Sequence, residues 1–162
     1  QNIIEYSPLS LKYLKDICNM IKKLVSLCYI LLITLIVGCT SQTVEEIVET
    51  HADGTPKVIV LYFVDGENKT KMATTQYYAD GKVELSGQFN PDQKRMGKWL
   101  YNYPSGLLWS ESVYESGKRE GYSCVYYKNG KKRYEGNYKA DKTIGTWQFY
   151  DEDGKLIKTQ KH

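Results

Sequence analysis

Residues 126–138 read YYKNGKKRYEGNY and residues 145–150 read GTWQFY, and the parts of this stretch recur along the chain at a nearly fixed step. Turn glycines recur at steps of 25, 24 and 24 residues: Gly81, Gly106, Gly130 and Gly154. A second glycine series and an aromatic series keep the same step: Gly97, Gly121 and Gly145, and Phe89, Tyr114 and Tyr138. A period in this range is typical of repeat proteins. Three series with one period therefore predict a repeat architecture.

Each repeat has a hairpin signal at its turn glycine. Asn-Gly and Asp-Gly between β-forming residues are strong hairpin signals, because a type I′ turn needs positive φ at both central residues. We therefore predict such turns at Asp80-Gly81, Asn129-Gly130 and Asp153-Gly154, with Ser105-Gly106 as a weaker form. Polar loops are predicted to join the hairpins, at residues 90–96, 116–120 and 140–144.

Side chains along the predicted strands alternate with a period of two. In residues 97–103, one parity carries Trp99, Tyr101 and Tyr103, and the other carries Lys98, Leu100 and Asn102. This alternation is typical of a sheet with one wet face. Matching positions of two repeats hold Gly87 and Gly136, where we expect a neighbouring ring to lie against the backbone. Matching positions also hold Trp99 and Trp147, interpreted as packing residues, with Ser123 in the middle repeat.

The first 43 residues differ from the repeats. Met20 is followed by Lys22 and Lys23, an apolar run over residues 24–37, and then Gly38-Cys39, which is the pattern of an export signal. The run has 14 residues, whereas a helix needs about 20 to span a bilayer. A membrane anchor lengthened by its flanks is the alternative. Because no methionine precedes Met20, we expect residues 1–19 to be upstream sequence without a structural role.

The end of the apolar run, Ile36-Val37-Gly38-Cys39, resembles the lipobox of bacterial lipoproteins. That resemblance implies cleavage after Gly38 and attachment of lipid to the Cys39 thiol, with residues 20–38 as a helical signal peptide. Residues 39–43 would then form a polar tether before a repeat domain at residues 44–162. The alternative is that Cys39 is an ordinary buried cysteine.

Charge and cysteine content exclude several classes of protein. Residues 1–38 hold four lysines and two acidic residues, so 18 of the 22 basic and 17 of the 19 acidic side chains remain in residues 39–162. A nucleic-acid-binding domain would be strongly basic, and we predict no such partner. Cys124 is the one cysteine in the repeat region, and His51 and His162 are the only histidines, so we predict no internal disulfide and no metal site.

The repeats resemble the variant form of the MORN repeat found in bacterial proteins. Its motif is Tyr-x-x-Asn/Asp-Gly-Lys, then Tyr-x-Gly-x-Tyr, then Gly-x-Trp-x-x-Tyr. One copy occupies residues 126–150, an earlier copy begins at Tyr77, and a middle copy departs from the motif at Asn102, Ser112 and Ser123. The resemblance covers residues 72–158 well and residues 44–71 loosely, as a diverged first copy. It implies an all-β fold, an elongated, twisted antiparallel β-meander of repeated hairpins. Bacterial relatives of this type are often labelled YwqK-type antitoxins, and others are lipoproteins of the cell envelope.

No residue pattern points to catalysis, since the acidic residues at the turns are explained as turn formers. We therefore predict a non-enzymatic protein without a cofactor. It would be held by lipid in the bacterial cell envelope, at the outer membrane, where its sheet would serve as a scaffold that binds a protein partner. An immunity protein that neutralises a toxin and a glycan-binding module are alternatives. The possible binding residues share the parity opposite to Trp99, and they are Trp109, Tyr122, Tyr126 and Tyr150; cross-strand packing is the competing explanation.

Overall fold

The computed structural model describes Ile17, residues 19–23 and residues 42–162. Ile17 and residues 19–23 are helical and exposed. No helix in this described part is both long and apolar enough to cross a membrane. Gly38 and Cys39, the predicted cleavage and lipidation positions, lie outside the described residues.

Residues 42–162 form one open sheet of ten antiparallel strands, in which every strand pairs with its neighbours in sequence. The strands are β1 (Gln42–Thr50), β2 (Pro56–Asp65), β3 (Asn68–Tyr77), β4 (Val83–Phe89), β5 (Arg95–Asn102), β6 (Leu108–Glu115), β7 (Lys118–Tyr126), β8 (Lys132–Lys139), β9 (Lys142–Tyr150) and β10 (Leu156–Lys161). The predicted all-β antiparallel meander is confirmed. β1 begins two residues before the predicted start of the domain, since Gln42 already pairs with Val64.

The prediction of type I′ turns at the Asn-Gly and Asp-Gly pairs is wrong. Gly130 has a φ of 81°, but Asn129 does not have positive φ. The Gly130 amide donates to the Tyr127 carbonyl at 2.9 Å, and the Tyr127 amide donates to the Lys131 carbonyl at 2.8 Å. This is a type I turn followed by one left-handed glycine, the three-residue hairpin loop. The same hydrogen bonds recur at the other four turns of this end, beginning with His51, Tyr78, Tyr103 and Asp151.

Type I′ geometry is found at the opposite end of the sheet. Ser116 and Gly117 both have positive φ, at 48° and 87°, and so do Ala140 and Asp141, at 50° and 67°. Both pairs are two-residue turns, because β7 already begins at Lys118 and β9 at Lys142. The predicted polar loops at residues 116–120 and 140–144 are therefore tight turns that lead directly into strands.

The core of the sheet is a single row of side chains that crosses the strands. Seven of the eight buried residues of the sheet lie in it: Val60, Thr74, Gly87, Trp99, Ser123, Gly136 and Trp147. Their registers connect them, since Val60 pairs with Thr74, Thr74 with Gly87, and Ser123 with Gly136. The row defines one side of the sheet, called here the tryptophan face. The eighth buried residue, Cys124, lies on the other side.

Two tryptophan rings cover glycines in this row, as predicted. A Cβ at Gly136 would lie only 2.6 Å from Cγ of Trp147, and a Cβ at Gly87 only 2.7 Å from Cε3 of Trp99. The indole N–H of Trp99 donates to the Gln88 carbonyl at 3.1 Å. Trp99 is 2% exposed and Trp147 4% exposed, so both are packing residues in a sheet without a second layer among its described residues.

The middle repeat replaces the glycine–tryptophan pair with two serines. Ser112 pairs with Ser123 in the β6–β7 register, and their hydroxyls lie 2.7 Å apart. Ser112 also pairs with Trp99, and Ser123 with Gly136. The two departures from the repeat motif therefore depend on each other. Each serine hydroxyl is the hydrogen-bond partner of the other, and a buried hydroxyl without a partner would cost free energy.

Successive hairpins are tied together at their three-residue turns. The residue that opens each of the first four turns reaches the backbone of the next hairpin, beginning with Nε2 of His51, 3.0 Å from the Tyr77 carbonyl. Tyrosine hydroxyls donate equivalent hydrogen bonds to backbone carbonyls. Tyr78 donates to the carbonyl of Asn102 (2.6 Å), Tyr103 to that of Tyr126 (2.8 Å) and Tyr127 to that of Tyr150 (2.9 Å). The loosely matching first copy therefore uses His51 where later copies use tyrosine.

Basic side chains at the end of the sheet opposite the Asn-Gly and Asp-Gly turns stack on the rings of the tryptophan face. The guanidinium of Arg95 lies 4.0 Å from the centre of the Trp99 ring, and that of Arg119 lies 3.9 Å from the Tyr138 ring. Lys71 Nζ lies 4.0 Å from the Phe89 ring. These cation–π contacts cover the aromatic edge of a single-layer sheet with charged groups.

Candidate functional site

The side of the sheet opposite the tryptophan face, called here the tyrosine face, carries a connected cluster of polar and aromatic side chains on β5 to β9. Antiparallel register places Glu111 beside Cys124, Cys124 beside Glu135, and Glu135 beside Gln148. Tyr122 and Tyr126, each two residues from Cys124, and Tyr150, two residues from Gln148, reach the carboxylates of this row with their hydroxyls. The tyrosine cluster consists of Lys98, Glu111, Tyr122, Cys124, Tyr126, Lys132, Glu135, Gln148 and Tyr150.

Glu135 is the centre of the larger half of the cluster. Its carboxylate accepts hydrogen bonds from the hydroxyls of Tyr122 at 2.6 Å and Tyr150 at 2.7 Å. Lys132 Nζ lies 2.6 Å from the same carboxylate. The Glu135 side chain is 15% exposed, so one shielded carboxylate joins side chains of β7, β8 and β9.

Glu111 forms the smaller half with the neighbouring strands. It accepts a hydrogen bond from the Tyr126 hydroxyl at 2.8 Å and lies 2.7 Å from Lys98 Nζ. Together with the Glu135 group, two carboxylates and two ammonium groups make the cluster electrically neutral. Every buried side-chain nitrogen and oxygen within the described residues has a hydrogen-bond partner. The rings are thus held in fixed orientations by bonds to neighbouring strands.

Burial would raise the pKa of Glu135, but hydrogen bonds from Lys132, Tyr122 and Tyr150 outweigh it and place the pKa below its ordinary value. The pKa of Glu111 is lowered in the same way, with bonds from Lys98 and Tyr126 exceeding the effect of burial. Burial, reinforced by the carboxylates, raises the pKa of the Tyr122 and Tyr126 hydroxyls. Near neutral pH both carboxylates are therefore ionised and both phenols protonated.

Cys124 lies beneath the tyrosines and is 0% exposed. Burial raises the pKa of its thiol. Because the thiolate is the reactive form of cysteine, this thiol is a poor nucleophile at neutral pH. The described residues also contain no group of three or more acidic, histidine or cysteine side chains arranged to hold a metal ion.

Three of the four predicted binding residues, Tyr122, Tyr126 and Tyr150, come together in the tyrosine cluster. Trp109 does not. It lies at a register shift, since Tyr101 pairs with Ser110 and Asn102 with Leu108. A bulge of this kind places two successive residues opposite one and changes the face of a side chain. The Trp109 ring consequently packs on Tyr101 and Tyr103, 6.1 and 6.2 Å between ring centres, on the tryptophan face.

A second register shift places a lysine, Lys132, on the tyrosine face instead of the tryptophan face. Strict alternation in β8 places Lys132 with Tyr134, which contacts the Trp147 ring on the tryptophan face. The shift between Val125 and Tyr126 pairs Lys132 with Tyr126 instead, and Lys132 reaches Glu135. Sequence alternation therefore placed Lys132 on the wrong face, whereas Glu111 and Glu135 were not singled out because their partners come from neighbouring strands. The recurrence of the three-residue turn, with its adjoining bulge, was the signal that could have corrected the parity.

Comparison with known proteins identifies two of the hairpins. Residues 119–140 and 144–161 match the family described as MORN repeat variant. The first segment spans the β7–β8 hairpin and the second spans the β9–β10 hairpin, each around one three-residue turn. These two hairpins are therefore similar to MORN repeats. No curated protein matches the chain significantly. The three hairpins that precede the matched MORN segments share the turn hydrogen bonds and the ties between hairpins.

Proposed function

We propose that this MORN-repeat chain is a lipid-anchored protein of the bacterial cell envelope, at the outer membrane, whose tyrosine face binds a protein partner without catalysing a reaction. The observation that carries the binding proposal is the fixed orientation of Tyr122, Tyr126 and Tyr150. Rings that are ordered before binding lose little conformational entropy when a partner covers them, and tyrosine is favoured at interfaces for this reason.

The electrostatics of the cluster favour binding over proton transfer. Each carboxylate is neutralised by a lysine and held ionised, and the phenols and the Cys124 thiol remain protonated near neutral pH. General acid–base catalysis works best with a group whose pKa lies near the operating pH. We expect screening with hydrolase substrates to detect no turnover, and reproducible turnover would overturn the non-enzymatic part of the proposal.

The partner can be sought by crosslinking and affinity capture from cell envelopes, with the intact full chain as bait. Tyr150→Ala removes one ring of the cluster and should abolish capture of a specific protein. Tyr134→Phe is the matched control, because it retains a ring on the tryptophan face. If Tyr150→Ala captures the same protein as the wild type, the tyrosine face is not the binding surface. A captured toxin would favour the antitoxin function over a general scaffold.

A glycan-binding module is the second candidate, and Trp109 is the observation that favours it. Its ring is 45% exposed beside Tyr101 and Tyr103, and exposed aromatic rings can stack on sugars. Soluble cell-wall fragments should then change the tryptophan fluorescence of the wild type, and Trp109→Ala should lose the response. Binding that is unaffected by Trp109→Ala would argue against this site.

The lipid anchor has its own test. Mass spectrometry of the native protein should show a mature chain that begins with an acylated Cys39. A chain that retains residues 1–38 without modification would overturn the lipoprotein proposal and leave the binding proposal intact.

A further inference from the structure

The two outer strands of the sheet each keep one backbone edge unpaired. Within residues 42–162, β1 pairs with β2 alone and β10 pairs with β9 alone. β1 has nine residues and β10 has six. A strand edge of this length presents backbone donors and acceptors to which another strand can add.

Large apolar side chains are most exposed at these same edges. Ile157 on β10 is 62% exposed, and Ile47 and Val48 on β1 are 57% and 50% exposed. No other large apolar residue of the described sheet is as exposed as these three. An added strand would cover apolar surface at either edge as well as its backbone groups.

The edges carry opposite charge. β1 contains Glu45, Glu46 and Glu49 and no basic residue, whereas β10 contains Lys158 and Lys161 and no acidic residue. Charge on an edge strand discourages pairing with an edge of the same sign. The distribution therefore disfavours β1 against β1 and β10 against β10, and leaves β10 against β1 of a second copy as the attractive combination.

The strand count allows that combination without rearrangement. In a ten-stranded antiparallel meander, β1 and β10 run in opposite directions. A second copy in the same orientation therefore brings its β1 antiparallel to β10 of the first copy. The meander then continues across the contact with the alternation that it has inside each chain.

The core row indicates the register. It begins beside Glu46, which pairs with Val60, and ends at Gln160, which pairs with Trp147. Setting Gln160 opposite Glu46 of the next copy continues the row and places Lys161 opposite Glu45. Glu46 and Glu49 already have ion pairs with Lys69 and Lys57. Glu45 and Lys161 have none within the described part of the chain, so the contact would join two unpaired charges.

We propose that this protein associates with further copies of itself head to tail, with β10 of one copy paired antiparallel to β1 of the next and Lys161 opposite Glu45. The contact uses two different surfaces, so each added copy leaves one free edge at either end of the assembly. Such heterologous association produces open-ended chains unless its geometry closes a ring. An edge contact is smaller than a standard interface, and association should therefore depend strongly on concentration.

Sedimentation velocity of the full chain, in detergent that solvates apolar residues 24–37, tests the proposal over a range of concentrations. The wild type should form progressively larger species as its concentration rises. Glu45→Lys and Lys161→Glu should each weaken association about tenfold, because each puts like charges opposite one another across the strand pair. The chain with both reversals should regain association, since opposite charges again face each other.

Lys128→Glu and Asp92→Lys are the matched controls, because both change the charge of exposed residues in turns away from β1 and β10. They should associate like the wild type. A single species at all concentrations would overturn the proposal, and would be the result if another segment or another protein occupies these edges. Association that neither edge reversal weakens would overturn it too, because the contact would then lie elsewhere, for example in residues 24–37.

Discussion

The contact between Gly136 and Trp147 makes a sharp prediction for Gly136→Ala. The added Cβ would lie 2.6 Å from Cγ of Trp147, whereas carbon atoms in contact are separated by about 3.5–4.0 Å, so the ring must move by about 1 Å. Rings on the same face restrict that movement, with Tyr138 at 5.0 Å and Tyr134 at 6.2 Å between ring centres. Gly136 does not have positive φ, so the alanine backbone itself is unstrained. Overpacking of this kind should lower the free energy of unfolding by about 3 kcal/mol.

A double-mutant cycle separates the collision from other effects. Trp147→Ala alone should cost about 3–5 kcal/mol, because the ring is 4% exposed. When Trp147→Ala removes the ring, the methyl group of Gly136→Ala no longer clashes with it and partly fills the cavity that the ring leaves. The double variant should therefore be about as stable as Trp147→Ala, which corresponds to a coupling of about 3 kcal/mol.

The assay is urea unfolding monitored by far-ultraviolet circular dichroism, because Trp147→Ala removes a fluorophore and tryptophan fluorescence would not be comparable between variants. Gly130→Ala is the control: its φ is 81° and no atom lies within 4 Å of the added Cβ. It should cost about 1–2 kcal/mol through backbone strain, and its effect should add to that of Trp147→Ala. If Gly136→Ala and Trp147→Ala are additive to within about 0.5 kcal/mol, the ring does not pack on the glycine and the explanation of the core row is wrong.

Three further predictions concern the hydrogen bonds. Ser112→Ala leaves the buried Ser123 hydroxyl without its partner and should cost about 1–3 kcal/mol, whereas adding Ser123→Ala should restore most of the loss. Urea midpoints measure both, and a fully stable single variant would contradict the pairing. Tyr127→Phe removes the bond to the Tyr150 carbonyl and should cost about 1 kcal/mol; an unchanged melting temperature would show that the tie between hairpins is not stabilising. Because folding lowers the pKa of Glu135, its ionised form contributes stability at neutral pH that is lost as the pH falls below the ordinary value of 4.5 and through the lowered pKa. Glu135→Gln should therefore reduce the acid dependence of the unfolding free energy, and an identical acid profile would refute this assignment.

Much of the scaffold is readable from the spacing of a few residue types. Glycines at turn positions, aromatics in step with them and period-two alternation predicted repeated hairpins, and the resemblance that they carry implied the antiparallel meander; short connections leave little choice of strand order. The ring over Gly136 was also predictable, since matching glycine and tryptophan positions imply close approach of ring and backbone. The class of the hairpin turns could not be predicted from the sequence. Asn129-Gly130 is compatible with two hairpin geometries, and the register of the flanking strands selects the three-residue one.

The sequence by itself determined the repeat, its hairpins and the aligned glycine and tryptophan positions of the core row. Tertiary structure decided which side chains share a face next to the three-residue turns, because the bulges there change the parity that alternation assigns. Trp109 consequently lies with Tyr101 on the tryptophan face, and Lys132 lies with Glu135 on the tyrosine face. The tyrosine cluster depends on residues from five strands, and its members become neighbours through cross-strand register, which the order of residues along the chain does not specify.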